Sequence, residues 1–232
     1  MRRVMLFLLS LIILIIAAVS IYKNYSRKEI QVRIINLISN KQNLSFTIND
    51  FTVPYDIAYG TSSEYFSLSN REVSLNLFVQ EGSDNELINT DITLSGDCFN
   101  TVILYNDEEK LDYLYLTSPK VTNKQQTAIR YLPVPTLIED IEVSLSKDDY
   151  HFTFSTEEAD ITSYQTLPEG FYTISIVKAE IESIYTAFLE NNELYTLVIL
   201  QSNEYPYNII RIFIDNYPGD QFITPIKNRY SI

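Results

Sequence analysis

The sequence predicts an all-β protein: two tandem β-sandwich domains, of the immunoglobulin-like or jelly-roll type, behind one N-terminal hydrophobic helix. The composition is the first observation behind this prediction, because 18 Tyr and 12 Phe stand against 5 Gly and no Trp. Aromatic and β-branched residues favour half-buried strands. The second observation is a series of short apolar runs separated by Asn, Asp, Ser and Pro, and the third is that these runs repeat. Hydrophobic residues make up 46 % of the chain, enough for a folded core.

The first element is an apolar segment within residues 1–28. Two arginines precede it, and from Val4 to Ile21 only Ser10 and Ser20 are polar. As a helix this run is about 27 Å long, close to the thickness of a bilayer core. It is longer than the usual core of a signal peptide, but Ala18-Val19-Ser20 fits a signal peptidase site. The segment is therefore a signal anchor or a cleaved signal peptide, and in both cases we expect the body outside the cytoplasm, in the periplasm or at the cell surface.

The body divides into two similar halves, each with three matched blocks. The second copy of each block follows about 97 residues after the first, which indicates a duplication. The pairs are Val32–Asn36 with Ile129–Pro133, Phe66–Leu77 with Gln165–Ile176, and Phe99–Leu104 with Tyr195–Leu200. We therefore predict domain 1 over 29–119 (unit one), a polar linker over 120–126, and domain 2 over 127–232 (unit two).

Each unit has about seven short apolar runs, as a sandwich requires. In unit one they lie near 31–37, 43–48, 51–54, 64–68, 72–79, 87–94 and 99–105, with an eighth candidate at 112–117. One stretch of unit two, Lys178 to Leu189, has apolar residues at helical spacing. The matching block in unit one lacks that pattern, so we predict strands joined by a turn there.

The net charge of the chain limits the classes of partner that it can bind. The net charge of −13 opposes binding to nucleic acid and to acidic polysaccharide. A basic protein partner is more compatible with such a surface.

The residue types that carry catalysis are scarce. His151 is the single histidine and Cys98 the single cysteine, so Cys98 has no partner for an internal disulfide. Asp148-Asp149-Tyr150-His151 and Gly96-Asp97-Cys98 resemble the catalytic blocks of SGNH hydrolase-like acetyltransferases, but they fall in different units. Those enzymes are α/β proteins, and this body has no room for alternating helices. We therefore predict a protein that is not an enzyme and has no catalytic residue.

Nothing in the sequence indicates a cofactor or a metal. The glycines are isolated, so no phosphate-binding loop exists, and there is no Cys/His cluster for zinc. The acidic runs Asp107-Glu108-Glu109 and Glu157-Glu158-Ala159-Asp160 lack the ligand spacing of a calcium loop. They are interpreted as solvated turns.

Tyrosines supply the candidate interaction surface. They cluster near the end of each unit, at Tyr105, Tyr113 and Tyr115, and at Tyr205, Tyr207 and Tyr217. Tyrosine is common in half-buried strands and also in protein interfaces. Both roles remain open for these six residues.

These blocks resemble a family of duplicated extracellular bacterial domains that includes the AlgF-like accessory proteins of alginate and exopolysaccharide O-acetylation. The resemblance lies in Val32-Arg33-Ile34-Ile35-Asn36, in the middle block Tyr59-Gly60-Thr61-Ser62-Ser63-Glu64-Tyr65, and in the turn before the alternating strand. It covers most of 31–217. Unit two departs from the pattern, because its nearest equivalent to the middle block is Ala159–Tyr164.

The resemblance implies a non-catalytic adaptor. Such a protein would bridge a membrane-bound O-acyltransferase and extracytoplasmic acetyltransferases, with the N-terminal segment at the membrane. The alternative is a cell-surface module that binds glycan or cell-wall polymer directly.

Overall fold

The computed structural model describes residues 29–38, 43–49, 51–52, 57–81, 84–107, 110–119, 127–133, 141–154, 161–178, 181–201, 208–215, 222–223 and 226–231. Every regular element in this part of the chain is a β-strand, so the all-β prediction is confirmed. No helix in these ranges is long and apolar enough to cross a membrane. The predicted hydrophobic helix at 1–28 and the predicted linker at 120–126 lie outside the described residues.

Unit one contributes ten strands. They are β1 (Ile30–Leu37), β2 (Asn43–Ile48), β3 (Phe51–Thr52), β4 (Ile57–Ala58), β5 (Thr61–Ser62), β6 (Phe66–Leu68), β7 (Glu72–Glu81), β8 (Asp84–Thr93), β9 (Cys98–Asp107) and β10 (Lys110–Pro119). The eighth candidate run of the sequence is therefore a full strand, β10.

Unit two contributes ten more strands. They are β11 (Thr127–Leu132), β12 (Ile141–Lys147), β13 (Tyr150–Phe154), β14 (Gln165–Leu167), β15 (Gly170–Lys178), β16 (Ile181–Leu189), β17 (Leu194–Gln201), β18 (Asn208–Ile214), β19 (Phe222–Ile223) and β20 (Ile226–Ser231). In the stretch from Lys178 to Leu189, Lys178 ends β15 and Ile181–Leu189 form β16, and the two strands pair, which confirms strands rather than a helix; 179–180 lie outside the described residues.

Each unit has two sheets, and the strand order of one unit repeats in the other. The inner sheet of unit one runs β10-β9-β1 with β6 on the far side of β1, and that of unit two runs β18-β17-β11-β14. The outer sheets run β3-β2-β7-β8 and β13-β12-β15-β16. In both inner sheets the central pair is parallel, β1 with β9 and β11 with β17, so the duplicated sequence blocks form duplicated topology.

The strand register in the structure shows that one of the three predicted block matches was wrong by one residue. The sequence comparison aligned Phe99 with Tyr195, which puts Thr101 opposite Leu197. In the structure Arg33 lies beside Thr101 and Arg130 beside Thr196, so the true alignment is shifted by one residue. The match of Phe66–Leu77 with Gln165–Ile176 keeps its register, because Phe66 pairs with Val32 and Gln165 with Ile129.

The inner sheets are buried on both faces, as the nearly unbroken apolar runs of β1 and β11 require. In unit one, Val32 and Ile34 pack against Val73 and Leu75 of the outer sheet. The alternate residues of β1, including Ile35, join the core of unit two instead. The two inner sheets therefore pack face to face, and the molecule is a stack of four β-layers.

Candidate functional site

The centre of the inter-unit contact is polar, although almost everything around it is apolar. Arg33 of β1 and Asp215, one residue past β18, are 0 % and 1 % exposed. Arg33 Nη2 lies 2.5 Å from Asp215 Oδ1, and Arg130 Nη2 of β11 lies 3.4 Å from Asp215 Oδ2. Two buried guanidinium groups thus share one carboxylate.

The same arrangement is built once from each unit. Arg33 Nε donates to Thr101 of its own unit over 3.1 Å, and Arg130 Nε donates to Thr196 over 2.9 Å. Each Nη1 then donates across the contact to a backbone carbonyl, from Arg33 to Ile214 and from Arg130 to Thr117. This reciprocity gives the contact local two-fold pseudosymmetry.

The symmetry breaks at one pair of positions. Arg33 Nη2 donates to Asp215, whereas Arg130 Nη2 donates to Ser118 Oγ over 3.0 Å. Ser118 therefore occupies in unit one the place that Asp215 occupies in unit two. The cluster has two positive charges and one negative charge.

Two tyrosines close the cluster from its sides. Tyr65 donates to the backbone carbonyl of Asp215 over 2.7 Å, and the Tyr164 hydroxyl lies 2.6 Å from Asp215 Oδ2. Each ring also lies against a guanidinium, Tyr65 at 4.9 Å from Arg33 Cζ and Tyr164 at 4.4 Å from Arg130 Cζ. Burial, with a smaller contribution from the Asp215 carboxylate, raises the pKa of both hydroxyls, which therefore remain neutral donors.

The middle block of unit one and its equivalent in unit two hold these tyrosines in position. Ser63 Oγ accepts from the backbone N–H of Ile34 over 2.9 Å, and Thr162 Oγ1 accepts from that of Tyr131 over 2.8 Å. Tyr65 and Tyr164 follow these hydroxyl residues by the same spacing. The nearest equivalent that the sequence offered in unit two, Ala159–Tyr164, thus ends in the matching residues, although 159–160 lie outside the described ranges.

The polar cluster joins the two units and offers no open reaction site. Its charged atoms all have partners within the cluster. A fully hydrogen-bonded buried network of this kind specifies one arrangement of the surfaces that enclose it. The outward faces of the outer sheets, by contrast, carry exposed side chains such as Glu72 and Phe171.

The predicted tyrosine surface divides between the two faces of one sheet. Tyr113 and Tyr115 pack on the core of unit one, while Tyr105 packs on the opposite side, against the core that reaches into unit two. Tyr115 donates to Asn100 and Tyr113 lies 3.0 Å from Thr90 Oγ1. All three are half-buried. Tyr205, Tyr207 and Tyr217 lie outside the described residues, so their surface role stays a prediction.

Cys98 and His151, the two residues considered for catalysis, lie on different strands of different units. Cys98 is half-buried at the start of β9, beside Pro119 of β10 in unit one. His151 is exposed on β13 of unit two, where its Nε2 lies 3.4 Å from Thr153 Oγ1. Within the described ranges no three His, Cys, Asp or Glu side chains come together as metal ligands. Of the two acidic runs only Asp107 falls in those ranges.

An aromatic pair on the outward face of unit two was not predicted from the sequence. Phe171 of β15 and Phe188 of β16 are directly opposite in register, with ring centroids 4.8 Å apart. They are 67 % and 36 % exposed. The alternation of β15 could have revealed Phe171, because Tyr172, Ile174 and Ile176 all point into the core.

A depression of about 450 Å³ adjoins this pair. Its lining comes from the end of β12, the β12–β13 turn and the start of β15: Ser146, Lys147, Asp148, Gly170, Phe171 and Thr173. Gly170 has φ +143°, and a Cβ there would stand 2.3 Å from Lys147 Nζ. The Lys147 ammonium donates to the Glu169 carbonyl and lies 5.8 Å from the Tyr172 ring. A larger residue at 170 would therefore press against the Lys147 side chain, which would have to move.

The equivalent face of unit one is polar. Matched register puts Glu72 and Thr93 where unit two has Phe171 and Phe188. Ser74 and Asp91 follow on the same face and are joined by a 2.6 Å hydrogen bond. The two copies have thus kept one fold and diverged in the chemistry of their outward faces.

Comparison with known protein families gives a match to part of the chain. No curated protein matches the chain. Residues 30–144 are similar to the family described as Domain of unknown function (DUF4397), and they take in unit one together with β11 and the beginning of β12.

Proposed function

We propose that the chain is a non-catalytic extracytoplasmic adaptor of an exopolysaccharide O-acetylation complex of the alginate type. In this role it bridges a membrane-bound O-acyltransferase and extracytoplasmic acetyltransferases. It supplies binding surfaces and uses no catalytic residue, cofactor or metal of its own. The N-terminal segment keeps it at the membrane or exports it.

The observation that carries the proposal is the pair of unlike outward faces on one body. An adaptor must present two different surfaces at a fixed separation. Unit one presents Glu72 and Asp91 among hydroxyl and amide groups, and unit two presents Phe171 and Phe188. The shared core and the Arg33–Asp215 contact hold the units in one arrangement.

The acidic face of unit one suits a basic protein surface. Glu72, Asp91 and Asn89 are exposed on adjacent strands, and the chain as a whole has a net charge of −13. Opposite charges would steer a basic partner toward this face and set its orientation. We therefore place the acetyltransferase contact on β7 and β8.

The test of the function is the acetyl content of the exported polysaccharide in a strain that lacks this chain, with polymer yield measured alongside. We expect acetyl groups to fall sharply while the yield stays normal. Restoring the full-length gene should restore acetylation. Unchanged acetylation in the deleted strain would overturn the adaptor role.

A second experiment tests the contact itself. Glu72→Lys with Asp91→Lys reverses two charges on the unit one face, and the tagged full-length chain is then recovered from membranes under mild detergent. We expect the acetyltransferase to be lost from the recovered complex. The matched control is Glu142→Lys with Asp149→Lys, which makes the same charge change at exposed positions of unit two. Equal recovery with both double variants would argue against the unit one face.

A further inference from the structure

The exposed aromatic pair of unit two has no role in the core. Phe171 and Phe188 lie on the face of the outer sheet opposite to Tyr172 and Ala187, which are buried. A cross-strand aromatic pair stabilises a hairpin by at most about 1 kcal/mol. Unit one keeps the same hairpin with Glu72 and Thr93 at these positions, so the fold does not need the rings.

The residues beside the pair supply the groups that bind a hydroxylated ligand. The depression is bordered by the Phe171 ring, the hydroxyls of Ser146 and Thr173, and the exposed carboxylate of Asp148. Carboxylates and hydroxyls accept and donate hydrogen bonds to ligand hydroxyls, and an aromatic ring face packs against polarised C–H groups. A volume of about 450 Å³ lies within the range of small-ligand sites.

Two of the residues that line the depression, Gly170 and Phe171, have charged counterparts in unit one. The counterpart of Gly170 is Arg71, one position before Glu72, which is the counterpart of Phe171. A glycine next to an exposed aromatic residue, present in one copy and replaced by charged residues in the other, marks a site that diverged after the duplication.

We propose that this face binds a polysaccharide chain without net charge, with sugar rings stacked on Phe171 and Phe188 and hydroxyls bonded to Asp148, Ser146 and Thr173. The two rings alone make a smaller apolar area than a stable protein interface, which buries about 800 Å² on each partner, so a protein partner of unit two would have to contact more than this pair. The surrounding positions Thr173, Ser175 and Thr186 carry hydroxyls, which suits a sugar better than an apolar protein surface. The net charge of −13 disfavours an acidic polymer.

Affinity electrophoresis of the purified full-length chain tests the site. The chain is held in a detergent without a sugar headgroup, and the gels contain hydroxyethyl cellulose, soluble β-1,3-glucan, galactomannan or dextran, with alginate as the acidic polymer. We expect at least one neutral polymer to retard the chain and alginate not to do so. Phe171→Glu with Phe188→Thr, which installs the residues of unit one, should weaken that retardation at least tenfold.

Two further variants separate binding from folding. Asp148 has φ +50°, a conformation that asparagine tolerates, so Asp148→Asn should keep the turn and still weaken binding severalfold. Ser74→Ala with Asp91→Asn alters the equivalent face of unit one and should leave retardation unchanged. Absence of retardation by every neutral polymer, or equal retardation of the Phe171/Phe188 variant, overturns the site.

Size-exclusion chromatography of the same variant tests whether the face joins two copies of the chain instead. If size-exclusion chromatography finds a dimer that the Phe171/Phe188 variant converts to a monomer, the face joins two copies and the saccharide assignment is wrong. The inference does not rest on the adaptor function. It is tested with the purified chain alone, whereas the adaptor function is tested by acetylation in cells.

Discussion

At the scale of single residues, the charge balance of the buried cluster depends on Asp215. Among the residues that the structure describes, it is the one carboxylate that pairs with the two buried guanidiniums, and it also accepts from Tyr164 and Thr196. Charges buried in a protein interior need a partner, because water no longer solvates them. Removing this one group leaves Arg33 and Arg130 uncompensated at the centre of the molecule.

Asp215→Asn should therefore be strongly destabilising. We expect the free energy of unfolding in urea to fall by about 3–5 kcal/mol, the usual cost of breaking a buried ion pair from one side. Asp149→Asn is the matched control, because Asp149 is exposed in a turn and should change stability by less than about 0.5 kcal/mol. Equal stability of the two variants would mean that the cluster is solvated in solution.

A second residue-scale prediction concerns alkaline pH. Burial raises the pKa of the Tyr131 hydroxyl to about 12, above its ordinary value of 10.0. The hydroxyl stays protonated in the folded state while it ionises in the unfolded state. The contribution of this hydroxyl to the free energy of unfolding is therefore fully present below pH 10. It is lost as the pH rises toward 12, and the loss amounts to about 2–3 kcal/mol.

Tyr131→Phe should remove that part of the pH dependence. Urea unfolding at pH 8 and pH 11.5 measures it, and the variant should lose about 2 kcal/mol less than the natural chain between these values. Phe154→Leu is the control, since its ring lies 5.7 Å from that of Tyr131 and has no ionisable group. If both variants show the pH dependence of the natural chain, Tyr131 is not the group responsible.

At the scale of elements, the turn between β4 and β5 depends on Gly60. Its φ of +73° is a left-handed conformation, and a Cβ there would stand 2.7 Å from Leu200 Cδ1 of unit two. Its N–H donates to the Asn36 carbonyl, which fixes the turn on β1. Gly60 thus permits the close approach of one unit to the other.

Gly60→Ala should cost about 1–3 kcal/mol, from the backbone conformation and from the contact with Leu200. Thermal unfolding measures the loss as a lower Tm. Gly96→Ala is the matched control, because Gly96 has no positive φ and its new Cβ would meet the exposed guanidinium of Arg71, which is able to move. A larger loss at Gly96 than at Gly60 would contradict this account.

Strand positions were predictable from the sequence, whereas register was predictable only where the strand alternates. Val73 and Leu75 alternate with polar residues, so the block that contains them was aligned correctly. β9 and β17 are apolar on both faces, and such a run does not distinguish one register from the next. The one-residue error at Thr101 and Thr196 arose there.

The buried polar cluster and the exposed aromatic pair were not predicted from the sequence, and the reasons differ. Arg33 lies in an apolar strand, and its partner Asp215 is distant in the chain, so no local pattern identifies the pair. The same residue type at Arg130 of the repeated block was the available signal. Alternation along β15 could have placed Phe171 on the outward face, but its exposure depends on whether another layer covers that face, which only the fold shows.

At the scale of the whole molecule, the face-to-face inner sheets should make the two units unfold together. Ile35 and Ile103 of unit one belong to the same core as Ile174 and Leu197 of unit two. A core shared in this way passes a loss of stability in one unit to the other. Separate sandwiches on a linker would instead unfold independently.

Hydrogen–deuterium exchange of the full-length chain, followed by mass spectrometry, distinguishes these two cases. Ile174→Ala creates a cavity in unit two that should cost about 2–5 kcal/mol. We expect faster exchange in β11 and also in β1, and the equivalent Leu75→Ala in unit one should accelerate both strands in the same way. If each substitution affects only the strand of its own unit, the shared core does not couple them, and the fixed separation that an adaptor needs would have to come from its partners.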